Sequence, residues 1–273
     1  MSITAADVNN LRKATGAGMM DCKNALVEAN GDFDAAVDIL RKKGQKVAAK
    51  RGDRDATEGL VVAKTNADGS NGAIIVLNCE TDFVAKNDDF VNFANKIAEI
   101  AVNASPSSLE ELKAQEIDGM PISEKIIEQT GVIGEKIDLS RYHKVSAGTV
   151  YAYNHPGNKV ASVVGLNKGG NVDAAKDVAM QIAAMDPIAL DKDDVSQEVI
   201  DKEIEVGKDL AIQEGKPAEM AEKIAIGRLN KFFKENTLLN QQYIKDNKQT
   251  IRDFLSQQEQ DLTVTEFKRF ALS

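Results

Sequence analysis

The sequence predicts an α+β protein on three observations. A strand, turn, strand, helix pattern occurs twice, the first forty residues carry only short helical stripes, and a highly charged stretch from Val195 to Phe233 carries a narrow apolar seam. At 273 residues the chain exceeds the ~100–200 residues of one typical domain, so its core must be divided. The expected boundaries are a three-helix domain with its linker at 1–52, a core subdomain N at 53–142, a second core subdomain C with a C-terminal module at 143–193 and 234–273, and a coiled-coil hairpin inserted at 194–233.

Thr4-Ala5-Ala6-Asp7 reads as a capping box, with Val8 and Leu11 following at helical spacing until Thr15-Gly16-Ala17-Gly18 breaks the pattern. Met19, Cys22, Ala25 and Leu26 form a second stripe that stops at Asn30-Gly31, and Asp32 can cap a third helix bearing Phe33, Ala36, Val37 and Leu40. This unit resembles a ubiquitin-associated fold, and the polar stretch Lys42 to Thr57 behind it reads as a linker. Glu58–Lys64 and Ala73–Cys79 are strand-like around the turn-forming cluster 66–72, and from Asp88 a helix carries Phe90, Phe93, Ala94, Ile97 and Ala101 on one face. Ser108 to Gly134 is helical in pattern, with Pro121 opening a helix. The hairpin then recurs about 90 residues on: Val145–Tyr153, a turn at 154–158, Val160–Leu166, and a helix over Asp173–Met185. Ile200, Ile204, Gly207 and Ala211 have coiled-coil spacing, and Gly215 with Pro217 should fold two such arms back as an antiparallel hairpin. Shorter apolar segments follow from Leu239.

Composition narrows the function. No apolar run approaches the ~20 residues of a membrane span, and the N-terminus lacks a signal-like basic region and apolar core, so the cytoplasm is the expected location. A formal charge of −9 repels a phosphate backbone, and with no tryptophan and 5% aromatic residues there is little material for stacking bases, so nucleic acid is not expected as a partner. Arg41-Lys42-Lys43, Lys46, Lys50 and Arg51 accordingly read as solvated charge. His143 and His155 lack triad companions, and Cys22 and Cys79 sit among apolar neighbours as free thiols. Gly215-Lys216 is followed by Pro217, which removes the amide and hydroxyl of a phosphate loop, and Asp68-Gly69 lacks the carboxylates of a calcium loop. Neither catalysis, metal, cofactor nor direct nucleotide binding is expected; recognition of protein is.

Two segments could carry that recognition. Thr81-Asp82-Phe83 starts where a strand ends; local chemistry favours Phe83 folding into its own core with Asp82 capping the next turn, over Phe83 facing a partner. Met19-Met20 follows a glycine-rich loop, and spacing alone expects one of the two in the core; Arg12 lies one turn earlier.

Leu11-Arg12, Thr15-Gly16-Ala17-Gly18-Met19-Met20-Asp21-Cys22-Lys23 and Ala25-Leu26 resemble the N-terminal signature of the elongation factor Ts family, guanine-nucleotide exchange factors for elongation factor Tu. Asn78-Cys79-Glu80-Thr81-Asp82-Phe83-Val84-Ala85-Lys86-Asn87 is similar to the family's second signature, and the resemblance covers essentially the whole chain, including Leu238–Ile251 in the C-terminal module. It implies binding to elongation factor Tu, mainly in its GDP form, and faster GDP release without covalent chemistry. Thr81, Asp82 and Phe83 would act at the partner's magnesium and phosphate site. Arg12, Met19, Met20, Ile133 and Gly134 match docking contacts, as do His155, whose following Pro156 departs from the usual family turn, and Tyr243 and Ile244. A ubiquitin-associated-type adaptor is the alternative from another class, and a thiol or histidine enzyme ranks last.

Overall fold

The computed structural model describes residues 3–272, and its mixture of helices with small antiparallel sheets is α+β. The first helices are α1 (Ala5–Thr15), α2 (Met19–Glu28) and α3 (Phe33–Arg51). Thr4 and Asp7 close the capping box reciprocally: the Asp7 N–H donates to Thr4 Oγ1 at 3.2 Å and the Thr4 N–H donates to Asp7 Oδ2 at 2.9 Å. Gly16 ends α1 at φ +70°, a left-handed cap that glycine adopts without strain. Leu11, Cys22, Ala25, Leu26 and Ala36 bury the shared face.

The stretch read as a linker is a helix as far as Arg51. Its Lys, Gln, Arg and Ala residues have good helix propensity, and Gly44 within it is buried against another helix, so tertiary contact carries α3 onward where its own apolar stripe has ended.

Next come β1 (Glu58–Thr65), β2 (Asn71–Cys79), a single turn α4 (Asp82–Ala85), α5 (Asp88–Ala104), α6 (Leu109–Ala114), β3 (Glu116–Ile117), β4 (Met120–Pro121), α7 (Ile122–Ile133) and β5 (Asp138–Ser146). The segment 108–134 is therefore not helical throughout. Asp118 at φ +51° and Gly119 at φ +84° turn a two-residue hairpin between Ile117 and Met120. An Asp-Gly pair is a hairpin signal that the helical spacing on either side obscured.

The chain continues with β6 (Thr149–Asn154), β7 (Val160–Leu166), α8 (Val172–Met185), a 3-10 turn at Lys192–Asp194, α9 (Gln197–Gln213), α10 (Ala218–Asn236), a 3-10 turn at Leu238–Asn240, β8 (Gln242–Tyr243), β9 (Asp246–Thr250), α11 (Ile251–Gln258) and β10 (Val264–Ala271). The expected strand from Val145 to Tyr153 is broken at Ala147-Gly148. A Cβ on Gly148 would sit 2.7 Å from the Lys168 carbonyl carbon, so only glycine lets the chain turn there. The strands form sheets of order β1-β2-β5 and β10-β7-β6 and the pairs β3-β4 and β8-β9. β6 and β7 run antiparallel in unbroken register from Thr149 opposite Leu166 to Asn154 opposite Ala161.

Two compact units result. One comprises Met1–Val62, Ile75–His143 and Ala271–Ser273; the other comprises Ala63–Ile74 and Lys144–Phe270. In the second, Val178, Ile182, Leu166, Val164 and Leu255 share one core. Its arms α9 and α10 lie against each other through small residues. A Cβ on Gly207 would come 3.1 Å from the Ala225 Cα, while Lys208–Glu222 and Arg228–Glu214 ion pairs at 3.3 and 2.7 Å bridge the arms at the surface.

In the first unit, α3 and α7 approach more closely still. A Cβ built on Gly131 would lie 2.3 Å from the Gly44 Cα, and one on Gly44 would lie 3.5 Å from the Ile127 carbonyl oxygen, so here the two helix backbones touch. Gly131→Ala should force α3 and α7 apart and lower stability by ~1–3 kcal/mol. Gly227→Ala on α10, where a Cβ meets nothing within 4 Å, should be neutral or stabilise by up to ~1 kcal/mol. Urea midpoints of the two variants check the pair; equal effects would mean that helix propensity alone sets the outcome.

Candidate functional site

β2 ends at Cys79, and the chain leaves the sheet through Glu80 and Thr81 into the four-residue turn α4. Thr81 is extended at φ −126°, and its Oγ1 accepts a long 3.5 Å hydrogen bond from the Val84 N–H, so Thr81 caps the turn rather than Asp82. Asp82 pairs with Lys86 Nζ at 2.6 Å along the same turn, and this hydrogen bond and charge raise the lysine's pKa. Phe83 is 83% exposed, against the local expectation that it joins the core. The buried residue of this turn is Ala85, and the phenyl rings that enter the core are Phe90 and Phe93 of α5. Leaving Phe83 in water forgoes ~1.5–3 kcal/mol of burial, the cost of a side chain that the fold does not itself use.

The root of the loop is held from two directions within the same unit. α7 ends at Gly134, left-handed at φ +80°, and the next residue turns its carboxylate onto the loop. Glu135 Oε2 accepts from the Glu80 N–H at 3.1 Å and the Thr81 N–H at 3.0 Å, and Oε1 accepts from the Thr81 hydroxyl at 2.7 Å. Glu80 in turn accepts from the Lys136 N–H at 2.6 Å and from Arg51 Nη1 at 2.9 and 2.8 Å, from the last turn of α3. The Lys136 ammonium donates to the carbonyls of Gly52 and Arg54, at 2.8 and 3.0 Å. The Lys136 amide, with Arg51 behind it, holds Glu80 below the ordinary glutamate range. Beneath the loop, burial and then the charge of Glu135 push the Cys79 thiol up to about 12, and its Sγ donates to the Thr81 carbonyl at 3.2 Å. That is the opposite of the depressed pKa an attacking thiolate needs.

Met19 and Met20 are 60% and 64% exposed, so neither is the core residue that spacing expected; Cys22, Ala25 and Leu26 fill the inward face of α2, which only begins at Met19. Arg12 is exposed in the last turn of α1 and Ile133 is half-buried at the end of α7. These residues share the first unit with Asp82 and Phe83.

His155 and the C-terminal pair lie in the second unit. His155 is exposed in the turn after β6, its N–H donating to the Val160 carbonyl at 2.9 Å while its Nδ1 lies 3.1 Å from the Tyr153 hydroxyl. Tyr243, expected as a contact residue, is 5% exposed. Its ring stacks on Phe254 at 4.4 Å between centroids, and its hydroxyl donates to Asp177 Oδ2 at 2.5 Å. Burial and the Asp177 carboxylate raise its pKa. The fold therefore uses Tyr243 as a support and presents Ile244 instead, 43% exposed and anchored by its N–H to Gln181 Oε1 at 2.9 Å.

Arg51, Glu80, Glu135 and Lys136 are the residues that sequence reasoning missed. Arg51 was read as part of a solvated charge run, Glu80 stood inside the Asn78–Asn87 signature without a role of its own, and Glu135 and Lys136 carry no local periodicity or motif. Among the described residues no group of three or more His, Cys, Asp or Glu side chains could hold a metal, and no helix is long and apolar enough to cross a membrane.

Residues 80–273 match the family model described as Elongation factor TS. A Christiangramia forsetii protein named Elongation factor Ts is 57% identical over 272 residues, covering 99% of this chain and 98% of that protein. The Amoebophilus asiaticus protein of the same name is 54% identical, covering 98% of each chain. A Chlorobium phaeobacteroides relative, also of that name, is 44% identical over 283 residues, covering 99% of this chain and 98% of its own. The class these matches define is the elongation factors of protein synthesis. Within it, the chain belongs to the elongation factor Ts family.

The pKa of Glu80 gives a pH dependence with a definite sign. A carboxylate whose folded pKa is depressed stabilises the fold above its unfolded value of ~4.3 and loses that contribution as pH falls through the lower folded value. The stability gap between wild type and Glu80→Gln should therefore be widest near neutrality and shrink below pH ~4. Urea midpoints at several pH values measure it; a gap unchanged into the acid range would show that the ionised form is not what Arg51 and Lys136 hold.

Proposed function

We propose that this protein is the guanine-nucleotide exchange factor of elongation factor Tu, binding mainly its GDP form and accelerating GDP release without binding nucleotide or making a covalent bond itself. The observation that carries the reading is Phe83, a phenyl ring 83% exposed beside Asp82 on a loop whose root is immobilised by charged hydrogen bonds. A fold gains nothing by holding an apolar ring rigidly in water, whereas a partner with a cavity for it gains from meeting it already ordered.

In this mechanism Asp82 and Phe83 enter the partner's GTPase domain beside its magnesium site and loosen the metal and phosphate contacts that hold GDP. Linkage supplies the rest: a protein that binds the loosened state better must weaken GDP by the same factor, so exchange is reciprocal coupling. Arg12, Met19 and Met20 on the ubiquitin-associated-like helical unit, with Ile133 and Gly134, provide docking on the GTPase domain. His155 and Ile244 in the other unit provide further contacts, and Tyr243 holds Ile244 in place. The core is read as two related hairpin-and-helix subdomains, with α9 and α10 as a coiled-coil hairpin, working in the cytoplasm with no nucleic-acid or membrane partner. The adaptor alternative predicts that the three-helix unit alone retains the main activity; it gives no use for Phe83.

Release of a fluorescent GDP analogue from elongation factor Tu is the direct measurement. Wild-type protein should accelerate it, and Asp82→Ala with Phe83→Ala should slow the catalysed rate at least ~10-fold while leaving measurable association, since separate surfaces also contribute to docking. Unchanged release with the wild-type protein sinks the exchange reading, and a full rate from the double variant removes the loop from it.

A further inference from the structure

We infer that Glu135 is a positioning residue for the Asp82-Phe83 loop: it holds the loop's root in the pose that acts on the partner, so that its loss slows nucleotide release more than it weakens docking. This rests on the exchange reading above and extends it to a residue that touches neither nucleotide nor partner in that mechanism.

The geometry is specific. Beyond Cys79 the chain leaves strand β2, so the Glu80 and Thr81 amides have left the ladder that would have satisfied them. One carboxylate takes both, at 3.1 and 3.0 Å through Oε2, and takes the Thr81 hydroxyl at 2.7 Å through Oε1. Two backbone donors and one side-chain donor converging on a charged acceptor fix the root in position and direction, as a single bond could not. The hydroxyl that donates to Glu135 also accepts from the Val84 N–H, so the clamp and the cap of α4 share the oxygen of Thr81. Phe83 lies inside that capped turn, two residues from the clamped amide. Glu80 has its own hold through Arg51 and the Lys136 amide, which keeps the root attached when Glu135 is changed and makes the variant informative.

A loop that is already ordered spends none of the interaction with its partner on becoming ordered, and the saving falls on the step in which Phe83 enters rather than on initial association. Glu135→Ala should therefore reduce catalysed GDP release from elongation factor Tu ~10-fold while affinity for the nucleotide-free partner changes less than ~3-fold. Glu135→Gln, which keeps one carbonyl oxygen for the amides and can donate to the Thr81 oxygen, should recover part of the rate. Added to Asp82→Ala with Phe83→Ala, Glu135→Ala should cost less than ~2-fold more, because it acts through the loop already disabled.

Two readouts need no exchange assay. Hydrogen exchange of the Glu80 and Thr81 amides should speed at least ~10-fold in Glu135→Ala, and a fluorine label on the Phe83 ring should report a more mobile side chain. Unchanged amide exchange and ring mobility overturn the proposal whatever the release rate does. Equal losses of affinity and rate, or a full additional loss in the loop-disabled background, overturn it in favour of a docking or general structural role. If the loop double variant itself releases GDP at the wild-type rate, the exchange reading of the loop falls and takes this proposal with it, a failure distinguishable because the amides still respond to Glu135. Should Glu135→Ala not fold, Glu135→Asp, which keeps the charge but withdraws it by one methylene, tests the same quantities.

Discussion

The closest approach of two helices in the first unit is between Gly44 and Gly131. With no Cβ on either residue, α3 and α7 meet backbone to backbone, in the C-terminal half of each. Arg51 lies seven residues beyond Gly44, about two turns at ~3.6 residues per turn, and Glu135 lies four residues beyond Gly131, about one turn and past the glycine cap. Both helix ends therefore arrive at the root of one loop, one supplying a guanidinium and the other a carboxylate. A larger residue at the crossing would separate those ends along with the helices.

The charges at that root are arranged against an obvious repulsion. Glu80 and Glu135 both act on the same short stretch of chain, and of the two it is Glu80 that pairs with Arg51. The arrangement holds because each carboxylate meets a different set of donors: Glu80 meets Arg51 and the Lys136 amide, while Glu135 meets the two loop amides and the Thr81 hydroxyl. Hydrogen bonds to charged groups contribute ~1.5–3 kcal/mol each where they are shielded, and leaving one partner bare costs a similar amount. Burial first, and the nearby Glu135 charge second, push the Cys79 thiol up to about 12.

That stiffness is directed at exposed apolar groups. Phe83, Met19 and Met20 all stand in solvent at the first turn of a helix, where a side chain leans toward the N-terminus and has no preceding turn of its own helix to lie on. Ile244 is presented differently, from a short pair of strands supported by Tyr243 and Gln181. At Phe83 and Ile244 hydrogen bonds fix the backbone that carries the exposed side chain, whereas α2 begins at Gly18 with no side-chain cap.

Sequence by itself determined the α+β class, the capping box at Thr4 and Asp7, the second hairpin's turn and its returning strand Val160–Leu166, and the family, because each is written in contiguous residues: a cap within four positions, a strand by its alternation, a signature by its run. It erred where distant residues decide. Lys42 to Arg51 is helix with Gly44 packed on α7, Phe83 stands outside although its own chemistry favours the core, and Tyr243 is inside, stacked on Phe254 and bonded to Asp177. The Asp82-Phe83 run was legible as a candidate; its hold on the protein was not. Arg51, Glu80 and Glu135 are separated by up to 84 positions in the chain, and no local pattern records a hydrogen bond that forms only once two helices have crossed.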